Sequence, residues 1–183
     1  MFEVEYKFKI PANFESILRE HGWAFLNEIH FVDTYFDSEL YRLTLNEHWL
    51  RRRDTKWQLK YCTSPGNGTD SVRIDKFNEV SDESEIHTRL ASLLNVDEKS
   101  LPLDSKVTSD VVKALGLKPI AEFETFRGKY KLGAFTIDLD RTNFGYELGE
   151  IELTCEKQSE MESAASKIYD MANKLEFGPV PTI

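Results

Sequence analysis

The sequence predicts an α+β protein built from eight β-strands and four helices, and three observations lead to this prediction. Apolar and charged residues alternate with period two in eight stretches of the 183-residue chain, as in strands buried on one face. Apolar residues recur with a period near 3.6 in four other stretches, as in amphipathic helices. Turn formers separate these stretches, most clearly at 64–68, where the chain has Ser-Pro-Gly-Asn-Gly.

The first predicted strand shows the period-two pattern most clearly. Residues 2–10 alternate Phe, Val, Tyr, Phe and Ile with Glu, Glu, Lys and Lys, so one face is apolar and the other charged. The other seven stretches are rich in β-branched or aromatic residues and end at turn formers. They cover roughly 29–37, 47–54, 57–63, 71–80, 121–131, 134–140 and 149–156.

The predicted helices cover 13–21, 82–95, 104–115 and 159–175. The second helix opens with Asp82 and Glu85 in the spacing of a capping box, and the fourth repeats this spacing with Ser159 and Glu162. Gly116 follows the third helix and is its expected C-cap. All four helices can bury one apolar stripe against the sheet.

Length and composition exclude several classes of protein. A chain of 183 residues without a linker-like segment predicts a single domain over 1–183. With 40% hydrophobic and 30% charged residues, the chain is too apolar to be disordered and too polar to be embedded in a membrane. The N-terminus lacks the apolar region of a signal peptide, so we expect a cytoplasmic protein. The net charge of −9 disfavours nucleic-acid binding by bulk charge.

The charged faces of the predicted strands carry groups of both signs. Arg51 and Arg53 share one face of their strand while Arg52 lies on the other, and carboxylates alternate with apolar residues in the first strand and the last two. An open antiparallel sheet can expose such faces to water, whereas eight strands can also close into a barrel that holds one small ligand. Both architectures remain open on this pattern alone.

The residue types on these faces suit a triphosphate and a divalent metal. Arginine binds phosphoryl oxygens through paired hydrogen bonds, and lysine supplies a point charge. Clustered carboxylates suit Mg²⁺ or Mn²⁺. The chain contains neither a Walker G-x-x-x-x-G-K-[ST] motif nor H-E-x-x-H, so a phosphate site must be built from side chains. Together these features favour phosphoryl transfer to water.

A series of short motifs resembles those of the CYTH superfamily, also called the triphosphate tunnel metalloenzymes. The series begins with E-x-E-x-K at 3–7. The others follow in family order: D-T-Y-F-D at 33–37, W-L-R-R-R at 49–53, W-Q-L-K at 57–60, F-N-E at 77–79, Arg127, D-L-D at 138–140, F-G-Y at 144–146 and G-E-I-E at 149–152. The W-L-R-R-R and F-G-Y-x-x-G-E-x-E blocks are most similar to the animal thiamine triphosphatase branch.

This resemblance implies an eight-stranded antiparallel closed β-barrel, the triphosphate tunnel, with helices packed on its outside. The residues that match triphosphate-binding positions are Lys7, Arg51, Arg53, Lys60 and Arg127. Tyr35 and Lys60 correspond to a pair that assists proton transfer, and are the expected catalytic residues. Trp49 corresponds to an aromatic residue beside the organic part of the substrate, where a flat ring can stack.

The resemblance also implies a metal site, with Mg²⁺ as the expected ion and Mn²⁺ as an alternative. The matching carboxylates are Glu3, Glu5, Asp138, Glu150 and Glu152. The animal enzymes continue into a C-terminal helix with a further substrate-contacting lysine, whereas this sequence ends with Phe-Gly-Pro-Val-Pro-Thr-Ile at 177–183.

The expected activity is metal-dependent hydrolysis of the terminal phosphate of a triphosphate, with thiamine triphosphate as the leading substrate. Inorganic tripolyphosphate and nucleoside or RNA 5′-triphosphates are alternatives, as are adenylyl cyclase chemistry and a polyphosphate-binding module without turnover. The expected partner is a small-molecule triphosphate, with no membrane or nucleic acid, and the expected state is a monomer. Cys62 and Cys155 are expected to be reduced packing residues.

Overall fold

The computed structural model describes residues 2–63, 74–102 and 108–180, and its strands confirm all eight that the alternation predicts. They are β1 (Phe2–Phe8), β2 (Ala24–Asp37), β3 (His48–Arg53), β4 (Lys56–Cys62), β5 (Ile74–Val80), β6 (Lys118–Leu132), β7 (Phe135–Thr142) and β8 (Glu147–Cys155). β2 begins at Ala24, earlier than the predicted position 29. This start was not predicted because residues 24–30 are all exposed and show no alternation of buried and exposed positions. The predicted turn at 64–68 and residues 71–73 lie outside the described residues.

The strands are hydrogen-bonded in the order β1-β5-β4-β3-β2-β6-β7-β8, which closes into a barrel. Closure occurs at β1, which pairs in the antiparallel sense with β5 on one side and β8 on the other. A closed barrel leaves no strand edge without a hydrogen-bonding partner. The barrel implied by the resemblance is therefore confirmed, and the open sheet is excluded.

The four predicted helices are also confirmed within the described residues. They are α1 (Phe14–Glu20), α2 (Glu83–Leu94), α3 (Thr108–Ala114) and α4 (Met161–Lys174). Asp82 caps α2 and accepts a hydrogen bond of 2.9 Å from the backbone N–H of Glu85. Gly116 follows α3 with a φ of +70°, a conformation that glycine adopts without strain.

The second predicted capping box, Ser159 with Glu162, is wrong. Ser159 lies inside a short 3₁₀ helix, Gln158–Glu160, which precedes α4. The carboxylate that reaches back is that of Glu160, which accepts a hydrogen bond of 3.2 Å from the backbone N–H of Lys157. The extra 3₁₀ turn therefore places the capping position at Lys157, two residues before the predicted Ser159.

The chain forms two compact units, each with its own apolar core. The first unit comprises Met1–Phe31, Thr63–Asn78 and Glu124–Ile183, and the second comprises Val32–Cys62 and Glu79–Phe123. In the first, α1 and α4 pack on the apolar faces of β1, β7 and β8. In the second, α2 and α3 pack on the apolar faces of β3 and β4. Because the helices cover the apolar faces, the opposite faces of these strands carry the charged residues.

No α-helix within the described ranges has both the length and the apolar character needed to cross a bilayer. The single domain over 1–183, the monomeric state and the cytoplasmic location stay predictions.

The cysteines and one histidine take packing roles. Cys62 and Cys155 are both thiols that are not joined in a disulfide. Burial raises the pKa of the Cys155 thiol, which keeps it protonated and unreactive. His87 is buried and lies 2.9 Å from the hydroxyl of Thr108.

Candidate functional site

The charged face of the first unit is arranged in rows that cross neighbouring strands. In one row, Lys129 of β6, Asp138 of β7, Glu150 of β8 and Lys7 of β1 are successive register partners. The two carboxylates are central and an ammonium group flanks each side. We call this the mixed row.

The adjacent row has a different charge pattern. Thr136 of β7, Glu152 of β8, Glu5 of β1 and Asp75 of β5 are successive register partners, so three carboxylates lie side by side. Like charges directly opposite each other on neighbouring strands are destabilising. This acidic row therefore favours a bound cation.

Three carboxylates at the junction of the two rows can hold one metal ion. One oxygen each of Glu5, Glu150 and Glu152 lies within 4.8 Å of the others. Oxygens around one hard divalent cation lie about 2.0–2.6 Å from it, so their mutual separations of up to roughly 5 Å match this group. Burial, reinforced by repulsion from Asp138 and Glu150, raises the pKa of Glu152 well above its ordinary value. The donor set and its unbalanced charge fit a divalent metal.

Lys7 lies beside this carboxylate group. Its ammonium is paired with Glu5 and lies 3.3 Å from a carboxylate oxygen of Glu150 and 3.5 Å from one of Asp75. Burial opposes the charge on Lys7, but attraction to Glu5 and Glu150 outweighs it and raises the pKa of Lys7. Lys7 is therefore a permanent cation next to the candidate metal site.

Asp138 is engaged by two cations of β6. The ammonium of Lys129 lies 2.6 and 2.8 Å from its two oxygens, and Arg127 donates to it at 2.6 Å. Arg127 also donates to both oxygens of Asp140, at 2.6 and 2.5 Å. Lys129 is absent from the residues singled out in the sequence. The signal was available, because Lys129 has the same strand parity as Arg127.

The second unit presents two arginines held by carboxylates. Arg53 donates to both oxygens of Asp33, at 2.8 and 2.7 Å. Arg51 donates to Glu79 at 3.0 Å and to Gln58 at 2.9 Å. Such charge-assisted pairs orient the planar guanidinium groups. Both arginines are among the residues predicted to bind phosphate, whereas the alignment by Asp33 and Glu79 was not predicted.

Tyr35, Trp49 and Lys60 lie on this same face of the second unit. Tyr35 is the register partner of Arg51, and its ring stacks on Phe123 with ring centroids 5.7 Å apart. Trp49 is the register partner of Lys60. The proton-transfer pair of Tyr35 and Lys60, and the role of Trp49 in substrate stacking, stay predictions.

Glu3 is the remaining predicted metal ligand, and it lies two residues before Glu5 on β1. It is the register partner of Phe77 and Thr154. Its charge contributes to the raised pKa of Glu152, although less than burial and the nearer carboxylates do. Glu3 as a metal ligand stays a prediction.

Comparison with known proteins finds relatives over nearly the whole chain. The CYTH domain matches residues 1–181. The thiamine-triphosphatase of Homo sapiens is 33% identical over 185 residues, an alignment that covers 96% of this chain and 77% of the human protein. The thiamine-triphosphatase of Macaca fascicularis is 31% identical with the same coverage.

Solved structures share the fold at lower identity. A protein of Pyrococcus horikoshii superposes with a TM-score of 0.60 at 18% identity, covering 97% of this chain and 92% of that one. A protein of Pyrococcus furiosus gives a TM-score of 0.57 at 22% identity, with coverages of 96% and 91%. At these identities the similarity supports the fold alone.

Proposed function

Because this chain belongs to the CYTH domain family, which it matches over residues 1–181, we propose that it hydrolyses thiamine triphosphate to thiamine diphosphate and phosphate. The chain is a hydrolase that acts on the phosphoric anhydride bonds of a triphosphate. The observation that carries thiamine as the organic group is the 33% identity to human thiamine-triphosphatase across 96% of this chain.

The proposed phosphate contacts come from five cations. They are Lys7, Arg51, Arg53, Lys60 and Arg127. The alignment of Arg51 by Glu79 and of Arg53 by Asp33 supports this proposal, because a preoriented fork loses less freedom when it binds a phosphoryl group. The incoming phosphoryl oxygens would share these guanidinium groups with the carboxylates that align them.

The proposed metal ligands are Glu5, Glu150 and Glu152, with Glu3 and Asp138 as the further predicted carboxylates. Mg²⁺ is the proposed ion and Mn²⁺ the alternative, since both prefer oxygen ligands. When bound, such an ion supplies Lewis-acid neutralisation of phosphoryl charge. The three adjacent carboxylates would hold it and would themselves be relieved of mutual repulsion.

In the proposed reaction, the oxygen of a water molecule forms a bond to the terminal phosphorus while the bridging bond to thiamine diphosphate breaks. Arginine and lysine side chains hold the triphosphate in line and offset the charge that develops on its oxygens. Tyr35 and Lys60 are the proposed pair that assists proton transfer. Positioning and electrostatic stabilisation account for nearly all the rate enhancement in such reactions.

Inorganic tripolyphosphate is the second candidate substrate. It is favoured by the arginine and lysine contacts, which recognise phosphate groups and do not discriminate between organic groups. In this proposal only Trp49 recognises the organic part. Nucleoside and RNA 5′-triphosphates follow from the same reasoning.

Phosphate release with Mg²⁺ tests both candidates. The wild type and Trp49→Ala are compared on thiamine triphosphate, tripolyphosphate and ATP, with Trp49→Phe as the matched control that keeps an aromatic ring. Stacking on an aromatic ring contributes about 1–3 kcal/mol, so Trp49→Ala should lower kcat/KM for thiamine triphosphate roughly tenfold or more and leave tripolyphosphate unchanged. A wild type that prefers tripolyphosphate, with Trp49→Ala indifferent to both, would assign the enzyme to the second candidate.

A further inference from the structure

The turn between β7 and β8 presents two exposed aromatic side chains that have no role in the proposed reaction. Phe144 is 65% exposed and Tyr146 is 48% exposed, and their rings stack with centroids 6.4 Å apart and 17° between the planes. Both belong to the F-G-Y motif at 144–146. We call this pair the aromatic tip. An exposed apolar patch is a common mark of a binding site.

A tight turn holds the aromatic tip. The backbone N–H of Thr142 donates to the carbonyl of Tyr146 at 2.9 Å, and the Thr142 hydroxyl accepts from the N–H of Tyr146 at 3.0 Å. Gly145 has a φ of +86°, which glycine adopts without strain, and its N–H donates to the carbonyl of Thr142 at 3.0 Å. An aromatic side chain on a fixed backbone loses little freedom when it binds a ligand.

Tyr146 continues the charged face of the first unit. It directly precedes β8, and Glu150 and Glu152 follow it by four and six residues. Residues at even intervals lie on one face of a strand, because successive side chains point to opposite faces. The hydrogen bonds to Thr142 keep Tyr146 in the register of β7 and β8, so Tyr146 shares a strand face with two candidate metal ligands.

The side chains on this face change in character from one end to the other. The acidic row lies at one end, the mixed row with its two ammonium groups comes next, and Arg127 with Asp140 follows. The register pair of Thr125 and Thr142 comes last, beside the aromatic tip. Successive rows are two residues apart, or about 7 Å. A metal, a phosphate chain and an organic ring follow one another in this same order in a metal-bound organic triphosphate.

We propose that the aromatic tip binds the organic ring of the triphosphate substrate and contributes to substrate specificity. This inference rests on the proposed hydrolysis of an organic triphosphate and goes beyond it, because that proposal gives this role to Trp49 alone. Thiamine carries a positively charged ring, which the faces of phenylalanine and tyrosine rings attract. Inorganic tripolyphosphate offers no such group. The aromatic tip therefore discriminates between the two candidate substrates.

Two measurements on Tyr146→Ala and Phe144→Ala test the inference. In phosphate release with Mg²⁺, kcat/KM for thiamine triphosphate should fall roughly tenfold through a higher KM, while kcat/KM for tripolyphosphate stays unchanged. In calorimetric titrations, the affinity for thiamine diphosphate should fall by a similar factor, while inorganic pyrophosphate binds as it does to the wild type. Tyr146→Phe keeps the ring and should retain the wild-type values.

Tyr169→Ala is the matched control, because Tyr169 lies on α4 and is 44% exposed. It should leave the kinetics of both substrates unchanged. The inference is overturned if both alanine variants keep the wild-type kcat/KM for thiamine triphosphate, or if they lose activity equally on thiamine triphosphate and tripolyphosphate. Phe144→Ala changes the more exposed side chain and decides the question even if Tyr146→Ala does not fold.

The calorimetric titration separates this inference from the proposed function. A wild type that hydrolyses no thiamine triphosphate, but whose affinity for thiamine diphosphate depends on Tyr146, would contradict the proposed function and leave the aromatic tip in its role. A wild type that hydrolyses thiamine triphosphate, with both alanine variants unchanged, would have the reverse meaning. A wild type that neither hydrolyses thiamine triphosphate nor binds thiamine diphosphate would overturn the inference as well.

Discussion

The group of Glu5, Glu150 and Glu152 in the first unit differs from the carboxylates of the second unit in how its charge is compensated. Glu5 and Glu152 occupy neighbouring register positions, so two carboxylates lie side by side. In the second unit, the aligned carboxylates each contact a guanidinium group, as with Asp33 and Arg53. A bound cation would relieve the repulsion in this group, while the arginines of the second unit can also accept an anion. The carboxylate group therefore suits a metal, and the arginines suit phosphate groups.

One repeating sequence pattern therefore produces two kinds of site. Both faces include strands that alternate polar and apolar residues, as β1 and β4 do. What distinguishes them is the charge of the residue opposite on the next strand. If the comparison is right, a change in the group of Glu5, Glu150 and Glu152 should affect metal binding, and a change at the arginines of the second unit should affect triphosphate binding alone.

The largest effect is expected at Glu152. Glu152→Gln removes one of the three clustered carboxylates, and it should abolish tight Mn²⁺ binding and lower hydrolysis by roughly a thousandfold or more, since a metal contributes several kcal/mol to such reactions. The melting temperature should not fall, because repulsion with Glu5 is relieved. Calorimetric Mn²⁺ titration and phosphate release measure both effects.

Glu147→Gln is the matched control for this variant, because Glu147 lies on the same strand but is exposed and pairs with Arg141. It should retain metal binding and turnover. Wild-type Mn²⁺ affinity in Glu152→Gln would contradict the assignment of the first unit to the metal.

A smaller effect is expected at Arg53. Arg53→Lys keeps the charge but loses the bidentate fork on Asp33, so the KM for the triphosphate should rise roughly tenfold while Mn²⁺ affinity stays constant. Arg52→Lys is the matched control. Arg52 lies on the opposite strand face, with its guanidinium carbon 5.9 Å from the centroid of the Trp57 ring. If Arg53→Lys and Arg52→Lys raised the KM equally, phosphate binding could not be assigned to the face of β3 that carries Arg53.

Asp37 tests stability in the second unit without involving the phosphate contacts. Its buried carboxylate accepts hydrogen bonds from the backbone N–H groups of Ser38, Leu43 and Thr44 and from the Thr44 hydroxyl, at 2.6–2.9 Å. Asp37→Ala leaves these donors unpaired and should cost about 3 kcal/mol, lowering the melting temperature by roughly 6–12 °C. Thermal denaturation of the two proteins measures this difference.

The Asp37 effect should depend on pH in a defined direction. Burial raises the pKa of Asp37, but the hydrogen bonds from Leu43, Thr44 and Ser38 outweigh it, so the net pKa is lowered. The native state therefore binds this proton more weakly than the unfolded chain. The stabilisation is full above the unfolded pKa of about 3.9 and is lost as the pH falls through the lower folded value. The difference between wild type and Asp37→Ala should narrow in acid, and a widening would contradict the assignment.

The smallest expected effect is on stability, and it concerns the residues at which α2 and α4 begin. Asp82→Ala removes the cap of α2 and should cost about 1 kcal/mol, or roughly 2–4 °C. Ser159→Ala should change stability by less than about 0.5 kcal/mol, because Ser159 lies within the 3₁₀ turn. Thermal denaturation measures both. If Ser159→Ala lost more stability than Asp82→Ala, Ser159 would cap α4 after all, contrary to its position within the 3₁₀ turn.

The strands and helices follow from the sequence because their signals are local. Alternation within residues 2–10 marks β1, and Gly116 marks the end of α3, since each pattern depends on residues that are neighbours in the chain. The start of β2 does not follow, because its exposed residues lack the pattern of a buried face. The start of α4 was misjudged because capping-box spacing does not reveal an added 3₁₀ turn.

The candidate site divides in the same way. The residue types, their strand faces and the family follow from the sequence alone, because side-chain alternation and short motifs can be recognised without knowing which strands are neighbours. The grouping of Glu5, Glu150 and Glu152, and the contacts of Lys129 and Arg127 with Asp138, are visible only in the folded chain. These contacts join strands far apart in the chain, as when β1 pairs with β8. Their register depends on closure of the whole barrel, which no local pattern encodes.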